Sequence, residues 1–391
     1  MSNPIMIIGS GFAAYQLVKA LRRSDKQTLI TVITTDDGHD YNKPDLSHVF
    51  TNKHNADALI RQTADNFAQD NEITIYTQTK VEMVDRHAQN VTTTKGDVLS
   101  YSKLVLATGA STFIPAMNGS AAKEVITLNS RIEYQAAQHK LDQAEHVLII
   151  GAGLIGTELA MDLSTSGKTV SVVDPCDSVM QTMLPDAISA PLQKKLTQDG
   201  VKLHLNNTVQ ALEQTDFGIE VILSSGEQFL VDSVISASGL KPNIQLAQQT
   251  GLSVDKGIVV NRQLQTSDSN IYALGDCAQI ENKVLSYLQP TLLSANVLAK
   301  VLLQPESLLQ TAGSAATLKL PAMLVKVKTT NFPIQLAGQT GQSVPKWSIE
   351  LDPEGITARA FDDNNELVGF VTTQNHMSNA LKMLKTLPTL L

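Results

Sequence analysis

Two glycine-rich turns of one design recur in this chain, Ile7-Ile8-Gly9-Ser10-Gly11-Phe12-Ala13-Ala14 and Ile149-Ile150-Gly151-Ala152-Gly153-Leu154-Ile155-Gly156, each running from an apolar strand into a helix. In this pattern the first glycine makes a tight turn and the second lets the backbone approach a pyrophosphate. The third position must be small so that the helix packs on the strand. The helix N-terminus adds free N–H groups and a dipole worth roughly 0.3–1 kcal/mol per charge to a phosphate. A single copy is a weak signal. Two copies, each with its own downstream partners, imply two bound dinucleotides.

The repeat extends beyond the turns. After the first, Ala13, Ala14, Leu17, Val18 and Leu21 fall at helical spacing, and Leu29 to Ile33 reads as the next strand. After the second, Ile155, Leu159, Ala160 and Leu163 share a helix face, Gly167 reads as a stop, and Val170 to Val173 as a strand. Each copy closes with a similar strand and turn, Leu104 to Gly109 and Val234 to Gly239. The second unit therefore reads as an insertion at 112–236 in a first unit formed by 1–111 and 237–315. The run Ile271-Tyr272-Ala273-Leu274-Gly275-Asp276 looks like a return to the first unit, and Thr291 to Leu303 reads as a helix with Pro290 at its start. Beyond Ala312 the pattern turns to short strands punctuated by Gly338, Gly341, Pro345, Pro353 and Gly355, giving a third domain at 316–391. The expected fold class is α/β, with two Rossmann-like dinucleotide-binding domains, one inserted in the other, and a small α+β C-terminal domain.

Composition narrows the function classes. With 391 residues and 42% hydrophobic content, the chain suits a multidomain globular protein. No apolar run approaches the roughly 18 residues that span a bilayer, and the first strand starts near Ile5, so a cytoplasmic protein with no membrane partner is expected. The net charge of −8 disfavours nucleic acid as a partner. The only cysteines, Cys176 and Cys277, form neither a disulfide framework nor a metal-ligand cluster, so no metal site is expected.

The acids after each turn separate the two ligands. Asp174 ends the strand after the second turn, close to the spacing for a carboxylate that accepts hydrogen bonds from a ribose 2′-hydroxyl. A carboxylate there repels a 2′-phosphate, and no arginine lies in Asp174-Pro175-Cys176-Asp177-Ser178, so NADH is favoured over NADPH. In the first unit Asp36, with Asp37 as the alternative, takes the ribose position, and Asp276 ends a later strand. Two acids serving one site fit a ligand longer than NAD, namely FAD, with Asp276 on the ribityl chain.

With these elements in order, the chain resembles the FAD-dependent NADH reductases of the pyridine nucleotide-disulfide oxidoreductase superfamily, most closely the rubredoxin and flavorubredoxin reductase branch. The resemblance spans essentially the whole chain. It is carried by Ile8 to Ala14, Tyr41-Asn42-Lys43-Pro44-Asp45-Leu46-Ser47-His48, Lys103 to Ser111, Gly153 to Gly156, Glu158 to Asp162, Ile271 to Ala278, Leu320 to Lys326 and Leu384 to Pro388.

The resemblance implies that Gly9, Ser10, Gly11, Phe12, Ala13 and Ala14 cradle the FAD pyrophosphate. It also implies that Thr34, Thr35 and Asp36 meet the adenosine ribose, Val81 the adenine, Lys43 and Lys328 the flavin ring, and that Thr108, Gly109 and Asp276 complete the site. Gly151, Gly153, Leu154, Ile155, Gly156, Asp174 and Gly239 hold NADH. Glu158 orients its nicotinamide end, with Lys43 as a pairing partner. Catalysis on this reading needs no side-chain acid or base: a hydride passes from NADH to the flavin and electrons leave singly. The disulfide reductases and peroxidases of the superfamily place a cysteine at the flavin, and here no cysteine precedes Cys176. The implied acceptor is therefore external, flavorubredoxin or rubredoxin. Leu318 to Thr330, with Lys319, Lys326 and Lys328 and no acid, is a candidate steering segment for it, or else a solvated strand edge. The other readings are a ferredoxin reductase of an oxygenase system and a dinucleotide-sensing interaction protein of the apoptosis-inducing type.

Overall fold

Strand Ile5–Ile8 is apolar at every position and wholly buried, which suits the centre of a parallel sheet covered on both faces. In the computed structural model, which describes residues 3–304, 316–329 and 332–391, it lies third in a five-stranded sheet. The order is Ile271–Ala273, Lys103–Leu106, Ile5–Ile8, Ile30–Ile33, Thr74–Tyr76, all parallel. Strand Ile5–Ile8 has the next strand in sequence on one side and a later one on the other. It thus marks the point where strand order reverses, the place at which such sheets bind ligands. The first glycine turn leaves the sheet there.

A second parallel sheet, in the order Lys202–Leu205, Thr169–Asp174, His146–Ile150, Ser233–Ser236, repeats the arrangement around the second turn. The chain passes between the two sheets at strands Ala110–Thr112 and Leu240–Pro242, which pair antiparallel. Helix Arg131–Gln143 leads into the second sheet, and an antiparallel meander, Val209–Thr215, Gly218–Leu223 and Gln228–Val231, covers part of it.

Helix Leu288–Leu303 packs with the first glycine helix, Phe12–Ser24, in the core of the first unit. It begins at Leu288, earlier than the sequence expectation of Pro290. The proline sits in the first turn, where its missing N–H leaves no helix bond unmade, and the Tyr287 carbonyl accepts from the Thr291 hydroxyl at 2.9 Å. The C-terminal domain is an antiparallel sheet in the order Val325–Val327, Ile334–Gly338, Leu367–Thr373, Gly355–Phe361, Lys346–Asp352, followed by the short helix Ala380–Leu384. Residue 315, the expected end of the first unit, and Thr330 lie outside the described residues. Among the described residues no helix is long and apolar enough to cross a membrane.

Candidate functional site: two dinucleotide cradles and a three-way clamp

Both glycine turns have the backbone their spacing demands. Gly9 has φ +114° and Gly151 φ +111°, and a Cβ at Gly9 would lie 2.2 Å from the Ala107 carbonyl oxygen. Gly11 and Gly153 are the N-caps of their helices, have no side-chain cap, and have open space where a Cβ would stand. The first N–H groups of each helix are thus left to an external acceptor. The third positions differ: a Cβ on Gly156 would meet the Gly151 oxygen at 1.9 Å, whereas Ala14 fits its methyl in full burial.

The acids are fixed at the mouths of the cradles. The Asp36 carboxylate accepts from the Ser10 hydroxyl at 2.8 Å, the Thr34 hydroxyl at 2.9 Å and the Gly38 N–H at 2.9 Å. Thr35 beside it is exposed. The Gln78 N–H donates to the Asp36 carbonyl, and the Thr79 N–H to that of Thr34, which brings Val81 close to the same strand end. Asp174 accepts from the Ala152 N–H at 2.6 Å and the Cys176 N–H at 2.8 Å, so it is pinned to the middle of the second turn. Gly275, at φ +81°, lies against Ala13, which carries Asp276 to the first helix. The Thr108 hydroxyl donates to the Asn243 carbonyl beside Gly109, and Gly239 has open space at φ +103°.

Lys43 and Asp276 are half-buried and act on each other electrostatically. Burial pushes the Lys43 ammonium down from its ordinary value, with Asp276 and then Glu133 opposing. Burial likewise pushes the Asp276 carboxyl up, and Lys43 opposes it. Lys43 opens a short 3-10 turn, Lys43–His48, with Pro44 in its first positions.

Glu158 takes partners other than the expected Lys43. Its carboxylate is buried and accepts from the Ser47 hydroxyl at 2.9 Å and the backbone N–H of Lys328 at 2.9 Å. The Lys328 ammonium reaches the Pro44 carbonyl at 2.7 Å. One helical turn further on, buried Asp162 accepts from the N–H groups of Phe50 at 2.9 Å and Thr51 at 3.2 Å. The second glycine helix therefore clamps the Lys43 segment of the first unit and the C-terminal domain together. The cavity at this junction, about 270 Å³, is lined by His48, Thr51, Asn52, Glu158, Met161, Asp162 and Lys328. It lies beside the clamp and not over the glycine turns.

Sequence reasoning missed Arg131, Ser47 and the clamping role of Asp162. Arg131 is buried, pairs with Asp37, lies 3.5 Å from Asp57, and leaves its Nε–H without a partner among the described residues. Asp37 is thereby occupied, and Asp36 remains the ribose candidate. The one local signal for Arg131 is a cation at the first position of a helix, where the dipole disfavours it.

Both thiols are free, Cys277 buried and Cys176 half-buried. Cys277 is buried, with its sulfur 3.3 Å from the Leu106 carbonyl oxygen. Burial, and then Asp174, push the Cys176 thiol up to about 11. Iodoacetamide at neutral pH is therefore expected to label Cys176 slowly, and Cys176→Ser to leave NADH-dependent flavin reduction within about twofold of the parent. Rapid labelling followed by mass spectrometry, or loss of flavin reduction in the variant, would restore a thiol role.

Known proteins resemble this chain in sequence and fold. Residues 3–297 match the family model for pyridine nucleotide-disulphide oxidoreductases, and residues 317–387 that for the rubredoxin binding C-terminal domain. The chain belongs to the pyridine nucleotide-disulphide oxidoreductase family. A relative from Aliivibrio fischeri, named nitric oxide reductase FlRd-NAD(+) reductase, is 47% identical over 389 residues, covering 100% of both chains. The relative of that name from Vibrio vulnificus (strain CMCP6) is 48% identical over 387 residues, covering 99% of this chain and 98% of its own. Among solved structures, a ferredoxin reductase from Rhodopseudomonas palustris superposes with TM-score 0.86 at 24% identity, covering 97% of this chain and 93% of that one. The water-forming NADH oxidase from Lactobacillus brevis does so with TM-score 0.86 at 19% identity, covering 99% and 91%. These two establish the fold. As a member of the family the chain is an oxidoreductase that uses FAD and NAD(H). The open helix mouths at Gly11 and Gly153 and the pinned acids Asp36 and Asp174 fit those two groups.

Proposed function

We propose that this protein passes electrons from NADH through FAD to a rubredoxin-type iron centre, that of flavorubredoxin or of rubredoxin, and does so in the cytoplasm. One observation carries the reading: two dinucleotide cradles and a rubredoxin-binding C-terminal domain are joined in one chain at Glu158. When bound, FAD accepts a hydride from NADH and returns the electrons one at a time, as an iron acceptor requires.

The remaining work belongs to side chains and backbone. Residues 1–111 and 237–315 form the FAD-binding domain, 112–236 the NADH-binding domain and 316–391 the acceptor-side domain. Gly9 to Ala14 present helix N–H groups to the FAD pyrophosphate. Thr34 and Thr35 flank Asp36 at the adenosine ribose, and Val81 borders the adenine. Arg131, with an unsatisfied Nε–H beside Asp37, adds a donor suited to a phosphate oxygen. Lys43, Thr108, Gly109 and Asp276 surround the flavin end, and Lys328 closes it from the C-terminal domain. Gly151, Gly153, Leu154, Ile155, Gly156 and Gly239 hold NADH, whose ribose hydroxyls meet Asp174. Glu158 ties the Lys43 turn to the helix that follows the second glycine turn and would thereby help to position the two cofactors relative to one another.

The test is anaerobic. Yellow holoenzyme should bleach with NADH and recover colour on adding oxidised rubredoxin or the rubredoxin domain of flavorubredoxin, faster than with a ferredoxin. Preference for the ferredoxin would overturn the acceptor assignment. Lys319, Lys326 and Lys328 are exposed along the edge strand Val325–Val327 and its approach. Steering of an acidic partner by these lysines predicts that acceptor reduction slows by about tenfold or more from low to high ionic strength. A stopped-flow rate that is flat with salt removes them from the docking face.

A further inference from the structure

We propose that the Gly341–Gln342 turn of the C-terminal domain is a positioning element of the NADH site, holding the segment from Asp177 to Asp186 against the second glycine turn and thereby setting coenzyme affinity. The inference rests on the reading of Asp174 as the acid of the NADH ribose.

That segment begins three residues after Asp174, the last residue of its strand. Its Met180, at φ +53°, donates its N–H to the Ala152 carbonyl at 2.8 Å, so the segment lies on the central residue of the glycine turn. From its own domain it is held at Val179, whose carbonyl accepts from the Ser189 hydroxyl at 2.8 Å and whose N–H donates to the Gln193 side chain at 3.2 Å. From the other side it meets a different domain. The Gln342 side chain donates to the Asp186 carboxylate at 2.6 Å and the Ser178 hydroxyl at 3.1 Å, and accepts from the Gln181 amide at 2.5 Å. The Gln342 N–H donates to the Gln181 carbonyl at 3.3 Å. One side chain thus ties three residues of the segment.

Gly341 makes this contact possible. It is buried, its φ is not left-handed, and a Cβ there would stand 2.3 Å from the Thr182 carbonyl oxygen and 2.8 Å from its carbon. Glycine is required for space alone, so an added methyl acts as a wedge between the two domains without straining its own backbone. A segment ordered before the coenzyme arrives need not be ordered at the moment of binding, and loosening it weakens affinity without touching the reacting atoms. The same contact gives the acceptor-side domain a handle on the donor site. By linkage, an acceptor that displaces residues 341–342 changes NADH affinity by the same factor by which NADH changes acceptor affinity.

The experiment measures NAD+ binding to the oxidised holoenzyme by calorimetry, together with KM and kcat for NADH, in Gln342→Ala, Gly341→Ala and Asp174→Ala. Gln342→Ala and Gly341→Ala are expected to weaken NAD+ binding and raise KM by about five- to twentyfold, with kcat and flavin content within about twofold of the parent. A merely structural role would lower flavin content or kcat along with affinity. Unchanged NAD+ affinity in both turn variants overturns the inference, whatever Asp174→Ala does. Unchanged affinity in Asp174→Ala overturns the reading of the ribose acid beneath it.

Discussion

Gly9→Ala is expected to yield a colourless protein less stable than the parent by about 3 kcal/mol or more, whereas Gly11→Ala should fold with near-parent stability and lose flavin selectively. The two glycines differ by position and not by type. At Gly9 a methyl meets the Ala107 oxygen at 2.2 Å, and φ +114° disfavours any side chain, so the strand and turn must both move. At Gly11, with φ −70°, a methyl meets nothing within the protein and projects into the open mouth of the helix. Urea unfolding of the apoproteins together with flavin-to-protein ratios separates the two. If Gly11→Ala kept full flavin, the cradle would have room to spare and the pyrophosphate assignment would fail.

Glu158→Ala is expected to cost about 2–4 kcal/mol of stability and to slow flavin reduction by NADH by roughly ten- to a hundredfold. Truncation leaves two donors, the Ser47 hydroxyl and the Lys328 N–H, without their buried acceptor. It also removes one of the two carboxylates by which the second glycine helix holds the Lys43 segment, Asp162 being the other. Glu158→Gln retains one amide oxygen for Lys328 and offers an N–H to the Ser47 oxygen, since a hydroxyl accepts as well as donates. The glutamine variant should therefore keep most of the stability. If the two variants were equally slow and equally stable, the negative charge and not the clamp would be the relevant property.

Much of this architecture was legible because its constraints are local. A turn that needs positive φ, a helix mouth without a Cβ and an acid at a strand end all fall within one βαβ unit, so the spacing of Gly9, Gly11 and Asp36, repeated by Gly151, Gly153 and Asp174, announces them. What joins the units was not legible. Glu158 and Ser47, Asp162 and Phe50, Arg131 and Asp37, and Gln342 and Asp186 are partners far apart in the chain, and no periodicity marks either member of a pair. The expected Glu158–Lys43 pairing shows the limit: the right two segments meet, but a hydroxyl and a backbone N–H take the carboxylate, and the carboxylate acting most on Lys43 is that of Asp276.

The paired strands Ala110–Thr112 and Leu240–Pro242 have one more consequence. Both ends of the stretch we propose to hold NADH pass through this one pair of strands, so that stretch can be exchanged as a block. Transplanting the intervening stretch from a relative that prefers a phosphorylated ribose would change the source of reducing power while leaving the flavin cradle intact, provided the graft brought matching contacts for Ser47, Phe50 and Gln342.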